Sequence, residues 1–358
     1  MMSPGHKQKT RSAKNSQAGF SLIELMVSIA LFLIVTTAVW GVLRIALNSR
    51  KVVSKKVDVA KMVRVALNTL GRDTYNAGYG YPLGNTVVVT DNRITTLLGI
   101  PNDSDSSRDT VPPIIAGNQV TVDNYNNVAN SKTDQVTFLF KDNTFNVSGS
   151  GATAVSLPLN INAATTNSSG IDEVVPISGS NSACRVNDLY LITGNTGSTL
   201  AVATALSGTN KLQFSNGDIL NINLAGTTGP LRAITTPASI IRVRMVTYFV
   251  ASDGTLTRRE YANNGPGTVA YNDVPLVYNV DDFQIQYVMN DGTLSDNPSA
   301  GPDGIPGTAD DTQANLSAIR QVRFTVSAHT QELDAAGRPF VESMTSTFST
   351  RNLGYDAS

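Results

Sequence analysis

The chain has 358 residues, a formal net charge of −1, 41% hydrophobic residues and 15% charged residues. That length holds one large domain or two ordinary ones, and the apolar content is too high for a wholly disordered chain. One cysteine, Cys184, excludes an intramolecular disulfide and thiolate-ligated zinc or iron–sulfur centres, and two histidines, His6 and His329, leave little for metal sites or acid–base dyads.

Charge is segregated along the chain. Residues 1–43 carry Lys7, Lys9, Arg11 and Lys14 against Glu24 alone. Arg44, Arg50, Lys51, Lys55, Lys56, Lys61, Arg64 and Arg72 follow, opposed only by Asp58. From Asp73 onward acidic residues outnumber basic ones, so most of the protein repels phosphate and no nucleic-acid partner is expected.

Residues 1–19 are polar and basic and offer nothing to a core, so they read as a leader. From Leu25 to Leu43 no residue is charged. As a helix that stretch spans about 28 Å, the thickness of a bilayer's hydrocarbon core, and predicts a membrane helix over 20–43. No site of the A-x-A kind follows the apolar run, and no cysteine there could accept lipid. The small residue, Gly19, stands before the run instead, so cleavage after it leaves the whole helix on the mature chain, starting at Phe20. Glu24 is the exception in this helix. A carboxylate deep in a bilayer costs about 2.5–3.5 kcal/mol and marks a function or a partner, whereas at headgroup level it simply favours the positive end of the helix dipole.

The run Gly19-Phe20-Ser21-Leu22-Ile23-Glu24-Leu25 resembles the prepilin-peptidase recognition motif of type IV pilins and type II secretion pseudopilins. The resemblance implies cleavage between Gly19 and Phe20 on the cytoplasmic side and N-methylation of Phe20. It also implies a role for Glu24 in assembly, its carboxylate pairing with the Phe20 ammonium of a neighbouring subunit. Such a desolvated pair supplies register more than net stability. The basic residues just after Leu43 outnumber those of the leader, and by the positive-inside rule they favour the opposite orientation. Only a cytoplasmic Gly19 meets the peptidase, so the motif decides the expectation.

Beyond the span, Val53, Val57, Ala60, Val63, Leu67 and Leu70 recur at helical spacing, with Arg50, Lys51, Lys55, Lys61 and Arg64 on the other side. One helix is therefore expected over 20–75, apolar all round in its first half and amphipathic in its second. Gly71, Gly78, Gly80 and Pro82 are its expected terminators. The basic side is either a solvated face or a contact for acidic neighbours in a polymer.

Residues beyond about Gly84 read as strands and loops. Strand patterns run through 136–140, 189–192, 219–224, 240–250, 283–288, 322–327 and 344–348, and Asp253-Gly254 is a hairpin signal. The fold class expected is α+β: the long N-terminal helix packed on a mainly antiparallel sheet domain over 76–358, pilin-like.

The segment Leu70-Gly-Arg-Asp-Thr-Tyr-Asn-Ala-Gly-Tyr79 is similar to the helix end of PilW-type minor pilins. So are Val280–Tyr287, Ile319–Phe324 and Thr350–Leu353 to that family's C-terminal pattern. Gly-Tyr-Pro follows Tyr79 where a cysteine is often found, which removes the usual disulfide. The resemblance implies a minor pilin that primes or caps a type IV pilus. Its partners would be other minor pilins, the major pilin and prepilin peptidase. It would sit in a bacterial inner membrane by a single pass, its C-terminal domain in the periplasm. A minor pseudopilin of a secretion system and an anchored adhesin-like binding protein are the alternatives.

Asp291, Asp296, Asp303, Asp310 and Asp311 fall in one glycine-rich loop, suited either to Ca²⁺, as in some pseudopilins, or to plain solvent exposure. Gly149–Ala154 matches a relaxed dinucleotide glycine pattern but leads to Pro158 rather than into a helix, so it is set aside. His329 and Cys184 stand without nucleophile or base partners in sequence, and no enzyme activity is expected.

Overall fold

In a computed structural model the described residues are 21–82, 87–101, 108–121, 132–176, 183–208, 210–226, 229–264, 269–298, 318–333 and 337–350. The chain divides into two compact units, Met1–Ser54 and Lys55–Ser358. Helix α1, Leu22–Asn76, contributes to both.

Within the second unit α1 supplies Val59, Val63, Ala66, Leu67 and Leu70 to a core shared with Phe138, Val246, Tyr248, Phe283, Ile285, Phe324 and Val326. Of the stripe read from the sequence, Val63, Leu67 and Leu70 are buried, whereas Val53 and Val57 are exposed, Ala60 is half-buried, and Val59 and Ala66 enter the core instead. Gly71, however, does not end the helix, which runs on to Asn76. A Cβ at Gly71 would come within 2.3–2.8 Å of three ring carbons of Phe348, so glycine is there for close packing and not for a turn. The chain leaves the helix at Gly78, whose φ of 77° suits glycine and whose N–H donates to Leu139 O at 2.9 Å. Gly71→Ala is therefore expected to destabilise by about 1–3 kcal/mol, although alanine is the better helix former. Combining it with Phe348→Leu should recover part of the loss, read as a shift in the urea midpoint.

After the helix come β1 (Val87–Val88), the short helix α2 (Arg93–Leu98), β2 (Ile114–Gly117) and β3 (Gln135–Lys141). Next are β4 (Val147–Ser148), β5 (Val155–Ser156), β6 (Leu159–Thr166), β7 (Asp172–Pro176), β8 (Leu189–Gly194) and β9 (Ser198–Val202). Then follow β10 (Ala205–Ser207), β11 (Lys211–Phe214), β12 (Ala238–Val250), β13 (Leu256–Tyr261) and β14 (Tyr271–Val277). The last four are β15 (Val280–Met289), β16 (Leu294–Ser295), β17 (Ile319–Leu333) and β18 (Pro339–Ser349). The fold is α+β, as the patterning implies, with α2 a short helix among the expected strands.

Strand β12 organises the larger sheet. Its first residues pair with β6 and β8, and its later ones with β3 and β13. It is buried along nearly its whole length, which explains its almost unbroken apolar run. Strands β16, β15, β17 and β18 form a second, antiparallel sheet in that order. Most neighbours in β15 and β17 alternate between buried and half-buried, as expected for a sheet with one face on the core.

One expected strand is absent. Residues 219–224 bury Leu220 and Ile222, but the backbone loops around Asp218. The Asp218 carboxylate accepts the N–H groups of Leu220 and Asn223 at 2.9 and 2.7 Å. The Asn223 amide then takes the place of a strand by bonding both Val202 N–H and Val202 O. Alternation recorded burial correctly, while local side-chain bonds to the backbone displaced the ladder.

Candidate assembly interface

At the start of α1 the Ser21 carbonyl accepts the N–H groups of Glu24 and Leu25 at 3.0 and 3.1 Å. From Leu22 to Leu47 the large apolar side chains are uncovered on every side, between 46% and 77% exposed. A helix apolar all round with nothing packed on it belongs in lipid or in a bundle. The hydroxyls along it are satisfied within the helix: Ser28 donates to Glu24 O, Thr36 to Phe32 O and Thr37 to Leu33 O at 2.6–2.7 Å. Such bonds let a hydroxyl enter lipid without an unmet donor. Glu24 differs, because its exposed carboxylate has no hydrogen bond or ion pair among the described residues. Gly19 and Phe20 lie outside the described residues.

In the second unit, Asp73 joins the end of α1 to the sheet. It is 1% exposed, and its Oδ2 accepts from Tyr248 Oη at 2.7 Å and from Arg258 Nε at 2.8 Å. Burial pushes the Tyr248 hydroxyl upward, and the nearby Asp73 carboxylate adds to it. The sequence flags Asp73 only as half of the Arg72-Asp73 pair. Its partners are 175 and 185 residues away, so no local signal could name them.

A second buried carboxylate, Asp134, ties β15 to the segment before β3. It accepts from Gln119 N at 2.8 Å and Ile285 N at 2.7 Å. Burial raises its pKa to about 6, opposed by those two N–H groups and aided by Asp282 and Asp296. The folded chain thus holds this proton more tightly than the unfolded chain. Its contribution is most favourable below about pH 4 and is lost as pH rises through about 6, a fall of about 3 kcal/mol. Urea unfolding between pH 4 and 7 should show this decline, and Asp134→Asn should flatten it. Parallel profiles for the two proteins would remove Asp134 as the cause.

Of the five loop aspartates, Asp303, Asp310 and Asp311 lie outside the described residues. Asp291 accepts from Thr293 N and Oγ1 at 2.9 and 2.7 Å, closing the β15–β16 turn, and these bonds lower its pKa. Asp296 accepts from Gln286 Nε2 at 3.1 Å. Both described members are thus engaged within the protein, and the described residues contain no cluster of three or more potential ligands. The His329 ring meets Asp281 at 2.7 Å, and Cys184 is buried with its thiol pushed up to about 11 by that burial. A thiol so protonated is a packing residue.

The class defined by the fold is an α+β protein whose N-terminal helix is long and apolar enough, by length and composition, to cross a membrane. That segment also carries a family signature: the prokaryotic N-terminal methylation motif matches residues 14–40. A motif of this kind indicates a type IV pilin-like or pseudopilin precursor and implies processing by prepilin peptidase and assembly with other pilins. No curated protein and no solved structure matches the chain.

Proposed function

We infer that this chain is a minor pilin of the PilW type, a structural and non-catalytic subunit that primes or caps a type IV pilus. Peptidase cleavage after Gly19 would free Phe20 for N-methylation and leave the β-rich domain in the periplasm. The observation that carries this reading is the bare Glu24 carboxylate near the start of an otherwise apolar segment, inside the matched motif. A charge placed there is costly alone, and a neighbour's Phe20 ammonium would offset that cost and fix the register of the two helices. The PilW part of the reading rests on sequence resemblance, including the Arg72-Asp73 pair at the helix end.

Mass spectrometry of the mature chain tests the processing step: an N-terminal Phe20 bearing one methyl group is expected, and an uncut leader would refute it. Deleting the gene should abolish surface fibres while leaving protein secretion intact. The reverse outcome would assign the chain to a secretion system as a minor pseudopilin.

A further inference from the structure

Among the described residues, strand β18 is a long sheet edge paired on one side only, to β17. The other outer strands among the described residues are mostly blunted: β1, β4, β5 and β16 have two residues each, β10 three and β2 four. Strand β14 has seven but includes Pro275 and Asp273, the latter bound to Arg259. Short length, proline and charge are the devices that keep edges from pairing. Strand β18 has eleven residues, with proline only at its first position and Glu342 as its only charge.

Its free row can be read from the pairing. Phe340 N–H turns toward β17, donating to Thr330 Oγ1 at 3.1 Å, and just past the strand Thr350 N–H does the same toward Arg320 O at 3.0 Å. Backbone groups alternate along a strand, so those of Val341, Ser343, Thr345, Thr347 and Ser349 point away from the sheet. None of these five residues is charged or proline. On the core side of the same strand, Phe340, Met344 and Phe348 are only half-buried. Helix α1 runs along this row. The Lys56 ammonium lies 4.2 Å above the centre of the Phe340 ring, and Gly71 packs against Phe348. The helix advances about 22 Å between Lys56 and Gly71, and the strand about 27 Å between Phe340 and Phe348.

We propose that β18 is a docking edge for an extended strand from a different pilin-type subunit, which would lengthen the β15–β17–β18 sheet beside α1. The proposal rests on the pilin reading. Its occupant alternates apolar and polar residues, the apolar ones covering the Phe340–Met344–Phe348 row and the polar ones joining the Ser/Thr face. A second copy does not fit as well. Antiparallel pairing of two β18 strands about a two-fold axis would put the two Lys55 ends at opposite ends of the pair. Both chains, however, must come from one membrane.

The test uses the full-length chain co-expressed with the other pilin-type subunits of its cell, captured in mild detergent, with partners identified by their own N-methylated termini. Amide exchange at Ser343, Thr345 and Thr347 should slow at least tenfold in the captured complex relative to the chain alone. Thr347→Pro removes an outward N–H that takes no part in the β17 ladder, and should reduce capture at least tenfold while leaving the unfolding midpoint nearly unchanged. Capture with unchanged exchange at these amides, or capture by Thr347→Pro at the unaltered level, would overturn the docking edge and leave the pilin reading standing. If the unaltered chain captures no pilin-type subunit, both fall.

Discussion

Replacing Asp73 with alanine is expected to lower stability by about 3–5 kcal/mol, the usual cost of removing one partner of a buried ion pair. The change leaves the Arg258 guanidinium, 9% exposed, with Glu260 at 3.3 Å as its remaining ion-pair partner among the described residues, and strips Tyr248 of its 2.7 Å acceptor. Because Asp73 is the last-turn link between α1 and β12–β13, the loss should appear as loosening of the helix end as well as a lower midpoint. Circular dichroism of the β-rich unit is the proper readout, since the single tryptophan, Trp40, lies in the apolar segment. The double variant Asp73→Leu/Arg258→Met should recover most of the loss, because apolar groups of similar volume replace buried pairs at little cost. If it unfolds as readily as Asp73→Ala, packing rather than the unpaired charge is responsible.

Glu24→Ala is expected to have the opposite profile, with folding of the β-rich unit unchanged and assembly impaired. Removing the carboxylate relieves an insertion cost of about 2.5–3.5 kcal/mol, so membrane anchoring should be kept or improved. Incorporation into fibres should fall at least tenfold, equivalent to losing about 1.4 kcal/mol of subunit pairing. Glu24→Gln separates charge from shape, and it should fail like alanine if an ion pair is what matters. Normal incorporation of both variants would refute the pairing role. Fractionation with carbonate washing reports anchoring, and quantification of sheared fibres reports incorporation.

The elements legible in the sequence are those whose signal is local and repeated. The apolar run from Leu25 to Leu43 specifies a helix and its lipid-compatible surface without reference to any other part of the chain. The alternation in β12, β15 and β17 marks strands because each residue independently prefers core or solvent. The same rule misplaced 219–224, where Leu220 and Ile222 are buried as expected but Asp218 and Asn223 supply the backbone's bonds. Gly71 misled for a related reason. A glycine inside a helical pattern reads as a terminator until the ring of Phe348, 277 positions later, is known to occupy the space of its Cβ.

The candidate site divides in the same way. The run from Gly19 to Glu24 is contiguous in the chain, so its pattern can be read without knowing any distant contact. Sequence alone therefore determined the anchor, the processing motif and the α+β class. The Asp73–Arg258–Tyr248 junction, the Asp134 carboxylate held between Gln119 and Ile285, and the open edge of β18 were decided only by tertiary structure. Each depends on which distant segments meet. A carboxylate's burial, its hydrogen-bond donors and the order of strands in a sheet arise from contacts that no window of neighbouring residues contains.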